Sequence, residues 1–345
     1  MSNTYRQAAW SAMDQLIRNV SELAAIGAPL FSLADLRSRC AENGTSAAVQ
    51  DHDTPALFDW LADVLSYQGV SDAIAERYMD EHGSMSFYEI EDGLRQRPSC
   101  PRLTSYWQFA ECRFAKTAHT CSEPAHLSAC PVPRHGLRNG RLNQTGYALF
   151  FFLRDVCEGD LVAWIDARLA AADDPGRPDR AALMRQALLT PLCCIHGVSS
   201  KVLSMAFANL LLGADPSRER WVTTGGSMVA VDTLVHNWLH RTGSLRRLGA
   251  EHAYGPACYR PVGCASIIEE AVRRIDARRF CPDGPAFFPR LLQKAIWMFC
   301  AEAHLGICNA NRIDDRDRCA QTACPLFILC ERVALRRQLA EASPR

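Results

Sequence analysis

Apolar positions along this chain recur mostly with the spacing of an α-helix. Trp10, Met13, Leu16 and Ile17 form one stripe and predict a helix to about Val20, followed by a polar stretch ending in ENGTSAAVQDHDTP. Pro55 opens a second helix, LFDWLADVLSYQG, in which Leu57, Leu61, Val64 and Leu65 share a face and Gly69 marks the stop. A further helix is expected from Ala73 to Met79. Helical spacing returns in YALFFFLRDV, LVAWIDARLAAA and ALMRQALLTPL, and after Gly197 in KVLSMAFANLLLG. No run alternates with a strand's period of two, so the expected fold class is all-α.

The periodicity breaks between about Cys100 and Leu142, where Pro98, Pro101, Pro124, Pro131 and Pro133 punctuate the chain. Residues 98–142 are therefore read as an irregular, cysteine-rich insertion in a domain spanning 53–335. On this division 1–52 is an N-terminal helical extension, 300–335 a cysteine-bearing region and 336–345 a tail.

The chain has 345 residues, 48% of them apolar, enough to bury a substantial core. Lys plus Arg and Asp plus Glu number 38 each, so any contact with nucleic acid must come from a local patch of charge. The first residues have no basic segment leading into a long apolar run, and nowhere do eighteen apolar residues follow one another. The expectation is a cytoplasmic protein with no membrane partner, monomeric by default. In a reducing compartment the 16 cysteines are expected to act as metal ligands, catalytic groups or small core residues rather than as disulfides.

Cys308, Cys319, Cys324 and Cys330 lie in one short segment, ICNANRIDDRDRCAQTACPLFILC. Four soft anionic donors so close suit an iron–sulfur cluster, with tetrahedral zinc as the alternative. A second metal centre is a candidate in the insertion, where Cys112, Cys121 and Cys130 are separated by eight residues each, Cys100 lies upstream, and His119, His126 and His135 are interleaved. At the insertion's end Arg134, Arg138 and Arg141 suit contacts to phosphates or base edges.

Three other motifs carry possible chemistry. IHGVSSKVLSM reads as a tight turn between helices, with Gly197 supplying the permissive backbone; amides at the start of the second helix, around His196, Gly197, Val198, Ser199 and Ser200, can hold a phosphate. VAVDTLVHNWLHRTG puts Asp232 at a helix start with Val235, Trp238 and Leu239 turned inward, either an ordinary N-cap or a carboxylate placed to stabilise developing positive charge. LSYQG ends the helix opened by Pro55, with Tyr67 and Gln68 at its tip.

Taken in order, these motifs resemble the helix-hairpin-helix DNA glycosylases of the endonuclease III and adenine-glycosylase kind. The cysteine loop is similar to that family's Cys-x6-Cys-x2-Cys-x5-Cys; here the intervals are ten, four and five residues. The turn at 195–201 resembles the hairpin Leu-Pro-Gly-Val-Gly-x-Lys, with Ser199 where the second glycine stands, and residues 229–243 resemble the Val-Asp-Thr-His-Val segment. The resemblance implies two packed helical lobes with a base pocket in the cleft between them, a [4Fe–4S] cluster on Cys308, Cys319, Cys324 and Cys330, and double-stranded DNA carrying a lesion or mismatch as partner. The implied activity is base-excision repair by N-glycosidic hydrolysis, with Asp232 as the reacting carboxylate. Lys201 is the implied Schiff-base amine of an AP-lyase step, separated from Asp232 by the loop GADPSRERWVTTGGSM. Tyr67 and Gln68 would attend the flipped base, and Arg312, Arg316 and Arg318 would face DNA. The alternative is a non-catalytic iron–sulfur protein that binds nucleic acid or senses redox state.

Overall fold

Apolar stripes at helical spacing bury themselves pairwise, and nearly every stripe read from the sequence is a helix in the computed structural model. It describes residues 3–25, 32–67, 72–83, 85–96, 98, 100–115, 120–123, 130, 141–309, 311 and 313–335. In chain order the helices are α1 (Asn3–Ala24), α2 (Leu33–Glu42), α3 (Thr45–Gln50), α4 (Thr54–Ser66), α5 (Asp72–His82), α6 (Phe87–Arg95), α7 (Tyr106–Phe109) and α8 (Arg141–Phe151). They continue with α9 (Leu161–Ala172), α10 (Arg180–Leu192), α11 (Ser200–Gly213), α12 (Glu219–Ser227), α13 (Thr233–Arg241), α14 (Ser244–Arg247), α15 (Cys264–Val272) and α16 (Pro289–Cys300). The all-α expectation holds: among the described residues the strands are a two-residue antiparallel pair, Phe114–Ala115 with Thr120–Cys121.

The chain forms two compact units, one of Met1–Asp35 with Gly225–Arg345 and one of Leu36–Thr224. In the first, α16 is the central helix. Its Leu291, Leu292, Ala295, Ile296 and Phe299 are buried, and α1, α13 and α15 pack against it. The α1 stripe of Trp10, Met13, Leu16, Ile17 and Val20 is buried as its spacing predicts, and the helix runs one turn beyond Val20. Arg274 lies over the Trp10 ring, 4.7 Å from its centroid, while pairing with Asp14.

The second unit is organised on α4. Asp53 caps it by accepting the Ala56 N–H at 3.0 Å, Pro55 occupies its first turn, and Leu57, Phe58, Leu61 and Leu65 are buried. The edge-on rings of Phe58 and Phe150 connect it to α8. Gly213 ends α11 where a Cβ would come 2.5 Å from the Cys40 sulfur, so the helix end and α2 approach closely.

One expectation needs correction. GADPSRERWVTTGGSM, read as a loop, contains α12. The adjacent glycines and threonines argue against a helix locally, but tertiary contacts override them. Trp221 is fully buried and its indole N–H donates to Asp166 at 2.6 Å, while Arg180 grips Glu219 with two hydrogen bonds of 2.7 Å. Asp173 accepts from Arg180 and Arg220, and these hydrogen bonds hold its carboxyl down at about 2. Such a depressed carboxyl stabilises the fold fully above its unfolded value of about 3.9, and the contribution is lost as pH falls through the folded value. Asp173→Asn is therefore expected to lower stability in urea at neutral pH by about 1 kcal/mol or less. The gap from wild type should close between about pH 4 and pH 2; an equal gap at both ends of that range would remove the ion pair as its source.

Candidate functional site

Among the described residues, a close group of metal-binding side chains is in the first unit and was not among the sequence candidates. His236 stands in the first turn and a half of α13, and His252, Cys258 and Cys264 come from the irregular stretch that follows and from the start of α15. One donor atom from each lies within 4.8 Å of the other three. His236 Nδ1 is 3.3 Å from Cys264 Sγ and 3.5 Å from Cys258 Sγ, and His252 Nε2 is 3.3 Å from Cys264 Sγ. Cys258, Cys264 and His236 are buried. This group can bind a metal ion.

The surroundings prepare these donors. His252 Nδ1 donates to the Ala250 carbonyl at 2.6 Å, which leaves the Nε2 lone pair facing the sulfurs. The hydrogen bond from Cys264 pulls the Cys258 thiol well below the ordinary thiol range, and the same bond with burial pushes Cys264 above it. His240, one turn beyond His236, is held below the usual imidazole range by burial and by His236. The spacing H-x15-H-x5-C-x5-C was a sequence signal, but His236 lay inside the segment read for Asp232 and the other three fall in the stretch from 252 to the first residue of α15, for which no motif was read.

Asp232 is placed as expected. It is the N-cap of α13, its Oδ1 accepting the Val235 N–H at 2.8 Å, with Val235, Trp238 and Leu239 fully buried behind it. Oδ2 has no hydrogen-bond partner among the described residues. Its charge is felt by Tyr254, Tyr259 and the guanidinium of Arg290, which burial lowers to about 10.

Cys308, Cys319, Cys324 and Cys330 line one pocket, with Trp238, Phe299, Ile307, Ile313, Leu326 and Phe327 as its apolar wall. The Arg332 N–H donates to Cys330 Sγ at 3.3 Å, and the backbone at Leu326 hydrogen-bonds Cys324. Burial raises the Cys324 thiol and pushes Cys330 up to about 11. Cys308 is lowered instead, by a hydrogen bond from Cys300 and by Arg241. Cys300, a fifth and fully buried cysteine at the end of α16, is a neighbour the sequence spacing did not include. Arg241 is buried beside the loop, paired to Asp315, and its Nη1 has no hydrogen-bond partner. Of the arginines assigned to this face, Arg316 pairs with Asp314 at 2.6 Å, Arg318 lies on the loop just before Cys319, and Arg312 falls outside the described residues.

In the second unit, α10 and α11 are joined by residues 193–199, with Gly197 in the left-handed region at φ 78°. Ser199 caps α11, its hydroxyl accepting the Val202 N–H at 3.4 Å, so the serine at the second-glycine position is a helix cap. Ser200 and the half-buried Lys201 open the helix, Val198 turns back to the Ile195 carbonyl, and His196 Nε2 contacts the Ala110 carbonyl at 3.2 Å. Tyr67 follows the end of α4, and Gln68 falls outside the described residues. In the insertion Cys100 is buried, Cys112, Cys121 and Cys130 are half-buried, and Cys121 Sγ accepts the Glu123 N–H at 3.3 Å. His119, His126, His135, Arg134 and Arg138 and the side chain of Arg141 lie outside the described residues.

A scan against protein-family models, a search of curated proteins and a search of solved structures each found no match.

Gly263 is the close approach that brings Cys258 and Cys264 together. A Cβ there would stand 2.4 Å from the Ala257 carbonyl oxygen and 2.6 Å from that of Cys258, backbone atoms that cannot swing aside. Gly263→Ala is expected to spread the donor group and lower the metal bound by His236, His252, Cys258 and Cys264 at least several-fold. Metal analysis of the purified variant checks this; unchanged metal content would show that the approach does not shape the site.

Proposed function

We propose that the protein is a DNA glycosylase of the helix-hairpin-helix kind, hydrolysing the N-glycosidic bond of a damaged or mismatched base. The observation that carries this reading is Asp232 itself: a carboxylate with one oxygen anchored by the helix it caps and the other without a partner among the described residues, on the helix whose far end receives the four-cysteine loop. The left-handed Gly197 turn between α10 and α11 supports it as the entry to a fourteen-residue helix, the kind of helix start a phosphate can use.

In this reading the Asp232 carboxylate faces the sugar as the glycosidic bond breaks. The departing base takes the bonding pair, positive charge develops on the deoxyribose, and the carboxylate stabilises it. Water then adds to the anomeric carbon and gives its proton to Asp232. Lys201 is the amine that would replace water in a lyase step, forming a Schiff base with the opened sugar.

The four-cysteine cavity suits a [4Fe–4S] cluster held by Cys308, Cys319, Cys324 and Cys330. These four cysteines would supply the thiolates that such a cluster needs. The apolar wall, the backbone N–H donors to sulfur and the unpartnered Nη1 of buried Arg241 are all features an anionic cluster would use. The group would tie the loop together and supply a one-electron centre; no step above passes through it.

Asp232→Asn separates a reacting carboxylate from a mere helix cap, because asparagine caps as well as aspartate. Base release from lesion-bearing duplexes is expected to fall by about 10² to 10⁴-fold with stability and duplex binding unchanged. Wild type that binds duplex but releases no base from any of a broad lesion panel would instead assign a non-catalytic nucleic-acid-binding protein. For the cofactor, protein purified without oxygen is expected to carry about four irons and matching sulfide with broad visible absorption, sharply reduced in Cys324→Ser. Colourless, iron-free protein would remove the cluster from the reading.

A further inference from the structure

The group of His236, His252, Cys258 and Cys264 has the dimensions of a single-ion site. Metal–sulfur bonds of about 2.3 Å and metal–nitrogen bonds of about 2.0–2.1 Å give a tetrahedron with edges of roughly 3.3–3.8 Å. The three edges measured are 3.3, 3.3 and 3.5 Å. Two imidazoles and two thiols supply four protein ligands, leaving no coordination position for substrate, which is the pattern of a structural site; tetrahedral N2S2 favours zinc among the common divalent ions. Hydrogen bonding alone satisfies the group poorly. The single Nδ1 of His236 faces two sulfurs, and Cys264 Sγ faces two imidazole nitrogens, one of them fixed as a lone pair by the bond from His252 to Ala250. One cation satisfies all four donors at once.

The ligand stretch also holds α13 on both sides of Asp232. Just before it, the Val231 N–H donates to the Tyr259 hydroxyl at 3.0 Å, and Tyr259 adjoins the ligand Cys258. Four residues after it, on the same helix face, His236 enters the donor group. We propose that His236, His252, Cys258 and Cys264 bind one zinc ion in a closed tetrahedral site, and that this ion is a clamp which fixes the Asp232 end of α13. The metal assignment is independent of the glycosylase reading; only the importance of positioning Asp232 rests on it.

The test uses the full chain and readouts that need no enzymatic activity. Zinc is expected at about one ion per chain, falling at least roughly tenfold in Cys258→Ser and in Cys264→Ser while the iron content is kept. Wild type loaded with cobalt in place of zinc should show the intense visible bands of a tetrahedral thiolate site, which covers the case where a cysteine variant does not fold. Hydrogen exchange followed by mass spectrometry then reads the clamp. On removal of zinc by a chelator, peptides spanning 229–240 should exchange at least about tenfold faster while those of α11 are unchanged. Wild type without zinc, full zinc in both cysteine variants, or an octahedral cobalt spectrum would overturn the site. Zinc loss with no change in exchange at 229–240 would overturn the clamp. A protein that carries the zinc yet releases no base fails the glycosylase reading alone.

Discussion

The first unit depends on how α13 is held. Val235, Trp238 and Leu239 are buried on one side of it, and it packs against α16. Its first turn is bounded by Tyr259 and by the His236 group. Its last turn offers backbone carbonyls that the cysteine loop uses in place of a strand partner: Glu331 N–H donates to the Thr242 carbonyl at 3.2 Å and Val333 N–H to that of Arg241 at 2.9 Å. Gly243 makes this possible. It takes the left-handed conformation, and a Cβ there would stand 2.3 Å from the carboxyl carbon of Glu331. Arg246 and Arg247 then close on that carboxylate. A change in α13 thus reaches a carboxylate, a four-donor group and a four-cysteine cavity over nine residues of helix.

How far this was legible in the sequence follows from what each feature is made of. Helices whose burial comes from their own stripe, such as α1, α4 and α11, appear in the pattern of residues because period and packing agree. The Asp232 cap was legible for the same local reason: an acidic residue just before an amphipathic run. Helix α12 was not, because Gly225, Gly226 and two threonines weaken it and what holds it is Trp221 on Asp166 and Arg180 on Glu219, contacts far apart in sequence. The His236 group was missed for a related reason. His252 and Cys258 come from the stretch between α14 and α15 and Cys264 opens α15, brought together by the tight passage at Gly263, and sequence spacing carries no trace of a backbone approach of that kind.

Electrostatics constrain what the neutral chain can do with a polyanion. The described arginines of the first unit are largely engaged: Arg241 with Asp315, Arg246 and Arg247 with Glu331, Arg278 with Asp276 and Arg316 with Asp314. The pairs are not equivalent. Arg241 is buried, so moving it would leave a charge stranded. Arg316 and Arg278 are exposed and paired to carboxylates two residues away, an arrangement that solvent and salt already weaken. A phosphate could replace the carboxylate at Arg316 at little cost, leaving Arg241 to the cysteine loop. Under that division, affinity for a nucleic acid would come from exchanged ion pairs and would fall steeply with salt, since each exchange also releases counterions.

The two sulfur-bearing sites on α13 differ in the property that sorts metals. One gathers two nitrogens and two sulfurs within 4.8 Å of one another, with three nitrogen–sulfur separations of 3.3–3.5 Å. The other sets four cysteines around one pocket whose apolar wall includes Trp238 and Phe299. Both walls use α13, since Trp238 lines the cavity two residues after His236 enters the donor group. A change in that one helix therefore reaches both sites, and under the proposed reading packing as well as ligand type would separate a single ion from a cluster.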